Sequence, residues 1–148
     1  MTVKQQAPSL TINRDLKAPI DVVYAAWTDP EKIVQWFAPS DTYTCEVPDF
    51  DLRVGGRYTV LMRDAKGERH CVSGEYREIV ENEKLVFSWA WESTPERISM
   101  VTVLLRRAGD LTRLQLTHEQ FADPDARDRH KLGWSGCLDR LVEKISRF

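Results

Sequence analysis

Residues Lys84–Trp91, with the sequence KLVFSWAW, form the clearest amphipathic β-strand in the chain. Every second side chain is large and apolar, so Leu85, Phe87, Trp89 and Trp91 share one face of an extended segment. The alternate positions hold smaller or polar side chains, which suit the opposite face. The segment therefore predicts a sheet strand with one aromatic face turned toward a core or a cavity.

Outward from this strand, a period-two pattern extends from about residue 42 to residue 119 and is interrupted by turn residues. We predict five or six strands there. They include segments at 69–80 and 98–107 and a last strand in which Leu114, Leu116 and His118 share a face. Because consecutive strands are joined by short turns, we expect neighbours to pair locally and the sheet to be antiparallel.

The segment before this meander predicts one more strand and two short helices. Apolar and polar side chains alternate over Leu10–Leu16, as in a strand that is buried on one face. Pro19 suits the first turn of a helix, where its missing N–H group costs no hydrogen bond. Asp29-Pro30 then predicts a second helix with Asp29 as the N-cap, and Pro39 prevents that helix from continuing.

The segment after the meander predicts a long C-terminal helix. Asp123 suits the N-cap and Pro124 the first helical position, and a helix of about twenty residues should follow. Its apolar stripe must lie against the sheet; the stripe comprises His130, Trp134, Leu138, Leu141 and Ile145. Gly133 and Gly136 beside Trp134 each cost about 1 kcal/mol relative to Ala, so we expect close backbone approach or open space there.

Composition excludes several classes of protein. The chain has 148 residues and a net charge of −2, which fits one ordinary domain and disfavours general nucleic-acid binding. We expect a flexible tail at residues 1–8 and a single domain at 9–148. Neither a secretory signal nor a membrane span is present in the sequence, so we expect a cytoplasmic location and no membrane partner. Cys45, Cys71 and Cys137 are far apart and predict reduced thiols.

No metal or cofactor motif occurs in the sequence. Its three histidines lack the spacing of a zinc or iron site, and Gly55-Gly56 lacks the other residues of a phosphate-binding loop. We therefore expect no metal and no cofactor. His70 has no obvious partner, and His130 is predicted to be a partly exposed residue near the start of the last helix.

The order of these elements resembles the helix-grip fold of the START-like, birch-pollen-allergen-like (SRPBCC) superfamily, and is most similar to the activator of heat-shock protein 90 ATPase homologue-like family. The segments that carry the resemblance are Ala18-Pro19-x-x-x-Val23-Tyr24-x-Ala26-Trp27-Thr28-Asp29-Pro30, Trp36-Phe37-Ala38-Pro39, Asp51-x-Arg53-x-Gly55-Gly56, Gly74-x-Tyr76-x-Glu78-Ile79, Leu85-Val86-Phe87-x-Trp89, Thr117-His118-x-x-Phe121 and Gly133-Trp134-x-x-x-Leu138-x-x-Leu141. The resemblance implies an α+β fold in which a curved antiparallel sheet wraps around a long C-terminal helix, with two short helices after strand 1.

The resemblance also implies a cavity between the sheet and the last helix. The five tryptophans of the chain fall around it, which favours a site for a hydrophobic or aromatic small molecule. The predicted pocket residues are Trp27, Trp36, Phe37, Tyr58, Met62, Tyr76, Phe87, Trp89, Trp91, His118, Trp134 and Leu138.

Three functions remain open at this point. The first is binding of a hydrophobic ligand without catalysis. The second is a polyketide-cyclase-like or hydrolase-like enzyme that uses His118 as general acid or base, although His118 also fits a hydrogen-bonded structural role. The third is a co-chaperone that stimulates a chaperone ATPase, but its eukaryotic form carries an additional N-terminal domain, so a chaperone partner is not favoured. A homodimer is compatible with exposed strand edges.

Overall fold

The computed structural model describes residues 7–148, and most of the predicted tail at residues 1–8 lies outside the described residues. The elements along the chain are β1 (Leu10–Leu16), α1 (Ile20–Thr28), α2 (Pro30–Trp36), β2 (Thr44–Phe50), β3 (Arg57–Arg63), β4 (Arg69–Val80), β5 (Lys84–Trp91), β6 (Ser99–Ala108), β7 (Leu111–Glu119), α3 (Pro124–Lys144) and a short 3-10 helix (Ile145–Arg147). None of the helices in residues 7–148 combines the length and apolar character that a membrane span needs.

The seven strands form one curved sheet in the order β1-β7-β6-β5-β4-β3-β2. Every adjacent pair is antiparallel, and β2 to β7 follow one another as a meander, as the period-two pattern predicts. Strand β1 joins the far end by pairing with β7, where Leu10 lies opposite His118. The α+β helix-grip architecture predicted from the sequence is therefore confirmed.

Two aspartates begin helices as their neighbouring prolines predict. The Asp29 carboxylate accepts a hydrogen bond from the Glu31 N–H at 3.0 Å, and that of Asp123 accepts one from the Ala126 N–H at 2.7 Å. Each bond satisfies an amide that has no partner within its helix. At α1 the sequence predicts Pro19 in the first turn of the helix. In the structure Pro19 is the N-cap residue, one position before that turn.

Helix α3 packs across the sheet with its apolar stripe buried. Leu138 and Leu141 are at most 1% exposed, and both belong to the core. The guanidinium of Arg140 fixes the helix to α2 by donating to the backbone carbonyls of Gln35 and Trp36, and it also pairs with Asp41. These contacts hold α2 and the connection that follows it against the middle of α3.

The two glycines of α3 occur at positions where the absence of a side chain has different consequences. A Cβ atom at Gly136 would clash with the carbonyl oxygen of Pro39, so this glycine permits close approach of the α2–β2 connection to the helix. A Cβ atom at Gly133 would meet nothing within 4 Å. Both reasons predicted for this pair are therefore found, one at each position.

The three cysteines are free thiols. Burial raises the pKa values of Cys45 and Cys137 to about 12, so both remain protonated at neutral pH. Cys71 is buried in β4. These positions agree with the reduced state predicted from the spacing.

Candidate functional site

A cleft of about 480 Å³ lies between the concave face of the sheet and helix α3. Strands β3, β4 and β5 form one wall, α3 forms the other, and the connection between α2 and β2 borders it. The lining residues are Phe37, Pro39, Tyr43, Met62, His70, Trp89, Trp91, Arg129, His130, Gly133, Trp134 and Cys137. The volume is within the range of about 300–1,000 Å³ that is typical of small-molecule sites.

Five of the twelve predicted pocket residues line this cleft: Phe37, Met62, Trp89, Trp91 and Trp134. They come from four separate parts of the chain: the end of α2, β3, β5 and α3. Trp89 and Trp91 are both on β5, and their rings meet edge to face with centroids 5.5 Å apart. Trp134 reaches them from α3, with its ring centroid 5.0 Å from that of Trp89.

Another five predicted residues surround a separate void of only about 30 Å³, which has room for about one water molecule. They are Trp27, Trp36, Tyr58, Tyr76 and Phe87. Two of them form buried hydrogen bonds within the protein: the Trp36 indole donates to the Ala26 carbonyl at 2.9 Å, and the Tyr58 hydroxyl donates to the Ser88 carbonyl at 2.6 Å. These aromatic residues therefore belong to the core that supports the cleft.

The remaining two predicted residues, His118 and Leu138, line neither the cleft nor the small void as described. Leu138 is part of the core, with 1% of its surface exposed. His118 has no exposed surface and lies behind the cleft wall, where its ring is 5.4 Å from Trp89. It meets the cleft lining through Trp89, Trp134 and His130, whose ring is 5.1 Å from its own.

Hydrogen bonds hold His118 in one neutral tautomer. The Trp134 indole donates to His118 Nδ1 at 3.0 Å, so that nitrogen carries no proton. His118 Nε2 then donates to the Ser99 hydroxyl at 2.7 Å. Burial, with a smaller contribution from His130, lowers the pKa of His118 to about 2. His118 thus supports Trp134, and its position does not favour proton transfer to a molecule in the cleft.

His130 repeats this arrangement at the cleft surface. The Trp91 indole donates to its Nε2 at 2.8 Å, and its Nδ1 donates to the Ala126 carbonyl at 2.7 Å. Desolvation lowers the pKa of His130. The sequence predicts a partly exposed His130 but not its place in the lining of the cleft. The signal was its spacing of four residues from Trp134, which places both on one face of α3.

His70 also has a partner that the sequence did not reveal. Its Nε2 lies 3.1 Å from Asp64 Oδ2, across the β3–β4 turn. This hydrogen bond, with further bonds from the backbone amides of Glu68 and Lys66, lowers the pKa of Asp64. The side chains of Asp64, Glu68 and His70 bring one possible metal-ligand atom each within 4.8 Å of one another. The hydrogen bonds that Asp64 makes with His70 and the turn amides explain why these three side chains lie together: they stabilise the β3–β4 turn.

Two buried indole N–H groups, those of Trp27 and Trp89, have no acceptor among residues 7–148. Each lies beside other aromatic rings: the Trp27 and Trp36 centroids are 4.7 Å apart, and those of Trp89 and Trp134 are 5.0 Å apart. The aromatic residues thus form one continuous cluster from α1 to the cleft.

The model of the family described as activator of Hsp90 ATPase homolog 1-like protein matches residues 17–145, which include every element from α1 to α3. The chain belongs to this family. The resemblance seen in the sequence is thereby confirmed. No curated protein matches the chain at a significant level.

Solved structures of similar proteins share the fold of this family member. A Chromobacterium violaceum protein is 26% identical, with a TM-score of 0.84 over 93% of this chain and 96% of its own. The AHSA1 protein of Silicibacter pomeroyi is 25% identical, with a TM-score of 0.82 over 94% of this chain and 98% of its own. CalU16 of Micromonospora echinospora is 31% identical, with a TM-score of 0.71 over 95% of this chain and 77% of its own.

Family membership accounts for the architecture more than for the activity. A single fold can carry many unrelated functions, so the function has to be argued from the cleft itself. In this family member the cleft walls are mostly apolar, and His118 and His130 each accept a hydrogen bond from a tryptophan of the wall. The fold and the cleft are consistent with small-molecule binding.

Proposed function

We propose that the protein binds a hydrophobic or aromatic small molecule in the cleft between the sheet and α3, without transforming it. The observation that carries this proposal is a cleft of about 480 Å³ with the rings of Phe37, Trp89, Trp91 and Trp134 in its walls. Rings of this size favour flat apolar ligands, because stacking and edge contacts add to the gain from burying apolar surface.

The polar groups in the cleft support binding more than catalysis. His130 is held neutral, with both of its ring nitrogens in hydrogen bonds to the protein. Cys137 is a protonated thiol because burial raises its pKa to about 12, so it is a poor nucleophile. Efficient acid–base or covalent chemistry needs an activated group that can reach the ligand. Among the described lining residues, His70 is paired with a carboxylate, that of Asp64, and this carboxylate also accepts hydrogen bonds from the Lys66 and Glu68 amides of the β3–β4 turn.

The test uses N-phenyl-1-naphthylamine, a neutral aromatic dye that becomes fluorescent in apolar surroundings. We expect the natural protein to bind it and to show quenching of its own tryptophan fluorescence. Gly133→Phe should abolish binding, because a side chain at this position projects into the open space of the cleft. Circular dichroism of each variant checks that the fold is retained.

The matched control is Leu132→Phe. Leu132 is the neighbour of Gly133 on α3 but is 75% exposed, so this variant adds the same ring outside the cleft. It should bind the dye as the natural protein does. Equal binding by folded Gly133→Phe would contradict the proposal. So would failure of the natural protein to bind both this dye and its sulfonate analogue, 8-anilinonaphthalene-1-sulfonate.

A further inference from the structure

One charged side chain borders the aromatic cleft. Among the lining residues, only Arg129 carries a permanent charge, and no carboxylate takes part in the described lining. The two histidines of the lining are in hydrogen bonds: His130 accepts from Trp91, and His70 is paired with Asp64. The cleft therefore has apolar walls and a single positive charge.

The charge of Arg129 is not neutralised within residues 7–148. Arg127, two residues earlier on α3, forms an ion pair with Asp128 at 3.1 Å, whereas Arg129 takes part in no ion pair in this part of the chain. Its positive charge also acts on His130, whose pKa it helps to lower. Arg129 is exposed and borders a second surface cavity of about 260 Å³, which Glu96 and Arg97 also line. That cavity has charges of both signs, while the aromatic cleft has only the positive one.

We infer that the ligand of the cleft is an aromatic or apolar acid, whose anionic group lies against the Arg129 guanidinium while its ring system lies among Trp89, Trp91 and Trp134. This inference rests on the proposed function and adds the chemical class of the ligand. Guanidinium groups form charge-assisted hydrogen bonds with carboxylate and sulfonate oxygens, and the exposed Arg129 presents one at the border of the apolar walls. The absence of a carboxylate from the described lining disfavours a cationic ligand.

The position of Arg129 on the helix supports this arrangement. Arg129 and Gly133 are four residues apart, so they lie one above the other on the same face of α3. Because Gly133 leaves open space, a ligand ring can lie against the helix backbone directly below the guanidinium. A larger residue at position 133 would separate the guanidinium from the aromatic walls.

The experiment compares two dyes that differ in one group. The sulfonate dye 8-anilinonaphthalene-1-sulfonate has the same ring framework as the neutral N-phenyl-1-naphthylamine. In Arg129→Gln we expect the affinity for the sulfonate dye to fall about fivefold and that for the neutral dye to stay the same. Arg129→Lys, which keeps the charge, should restore part of the loss. Added salt should lower the affinity of the natural protein for the sulfonate dye and leave its affinity for the neutral dye unchanged.

Arg127→Gln is the matched control, because it removes an arginine of the same helix that is paired with Asp128 and does not line the cleft. It should leave both affinities unchanged. If Arg129→Gln lowers the affinity for both dyes equally, or does not lower the affinity for the sulfonate dye, the inference is overturned while the proposed function stays in place. If the natural protein binds neither dye, the proposed function itself fails. If it binds only the sulfonate dye, and Arg129→Gln and Gly133→Phe both remove that binding, the inference is supported.

Discussion

At the scale of single residues, the two tryptophan–histidine pairs are the most informative contacts in the molecule. In each pair an indole N–H donates to an imidazole nitrogen, at 3.0 Å for Trp134 with His118 and at 2.8 Å for Trp91 with His130. An imidazole can accept such a bond only when that nitrogen is unprotonated. The rings that form the cleft wall are therefore positioned by histidines that must stay neutral.

This requirement predicts that the protein loses stability in mild acid. The pKa of His118 is about 2 in the folded protein and about 6.5 when unfolded, so below pH 6.5 the unfolded chain binds the proton that the folded chain excludes. The contribution of His118 is complete above about pH 6.5 and declines as the pH falls toward 2. Between pH 7 and pH 5 we expect a loss of about 2 kcal/mol in the free energy of unfolding.

Urea unfolding of the natural protein and of His118→Gln at both pH values measures this effect. A glutamine side chain can accept from Trp134 and donate to Ser99 but does not titrate, so the variant should lose about 2 kcal/mol less on acidification. Its remaining pH dependence should include that of His130, whose pKa is also lowered. Equal pH dependence of both proteins would show that His118 is not the group responsible.

At the scale of elements, helix α3 makes two different kinds of contact, and one glycine serves each of them. It must approach the α2–β2 connection closely at Gly136, and it must leave the cleft open at Gly133. Hydrogen bonds from Arg140 to the end of α2 hold the close approach in place. Helix α3 thus holds the α2–β2 connection in place at Gly136 and forms one wall of the cleft at Gly133.

Alanine at each glycine should therefore have opposite effects on stability. Gly133→Ala should raise the free energy of unfolding by about 0.5–1 kcal/mol, because alanine favours the helix and its methyl group meets nothing. Gly136→Ala should lower it by about 1–3 kcal/mol, because the methyl group clashes with the Pro39 carbonyl. Urea unfolding measures both, and a stabilising effect of Gly136→Ala would contradict the close approach.

At the scale of the whole molecule, the aromatic cluster divides into a core and a cleft wall. Trp36 has no exposed surface and packs beside the small void, whereas Trp91 is half-buried and lines the cleft. The cluster is continuous, since Phe37 and Trp89 border both spaces. The core part therefore packs directly against the residues of the cleft wall.

This division predicts different effects of truncating the two tryptophans. Trp36→Ala should lower the free energy of unfolding by about 3–5 kcal/mol, because it leaves a large internal cavity. Trp91→Ala should cost about 1–2 kcal/mol, because its ring is partly exposed, and should also weaken binding of the neutral dye. Thermal unfolding and dye titration measure the two effects. Equal destabilisation by both variants would contradict the division.

The sequence by itself determined the elements and their order. Strand β1 matches the alternation over Leu10–Leu16, and Asp29 and Asp123 begin their helices as predicted. These features depend on neighbouring residues only: strand periodicity, hydrogen bonds from a cap, and the fixed backbone of proline. The same local rules identified α3 as the helix that faces the sheet.

Only the tertiary structure decided which aromatic residues border the cleft. Trp27 and Trp91 are both predicted from the sequence to line the pocket, yet Trp27 lines the small core void and Trp91 lines the cleft. His118 has the alternation of an inward-facing strand residue, but Trp89 and Trp134 lie between it and the open space. Such positions depend on how α3 crosses the sheet, which is set by contacts between residues far apart in the chain.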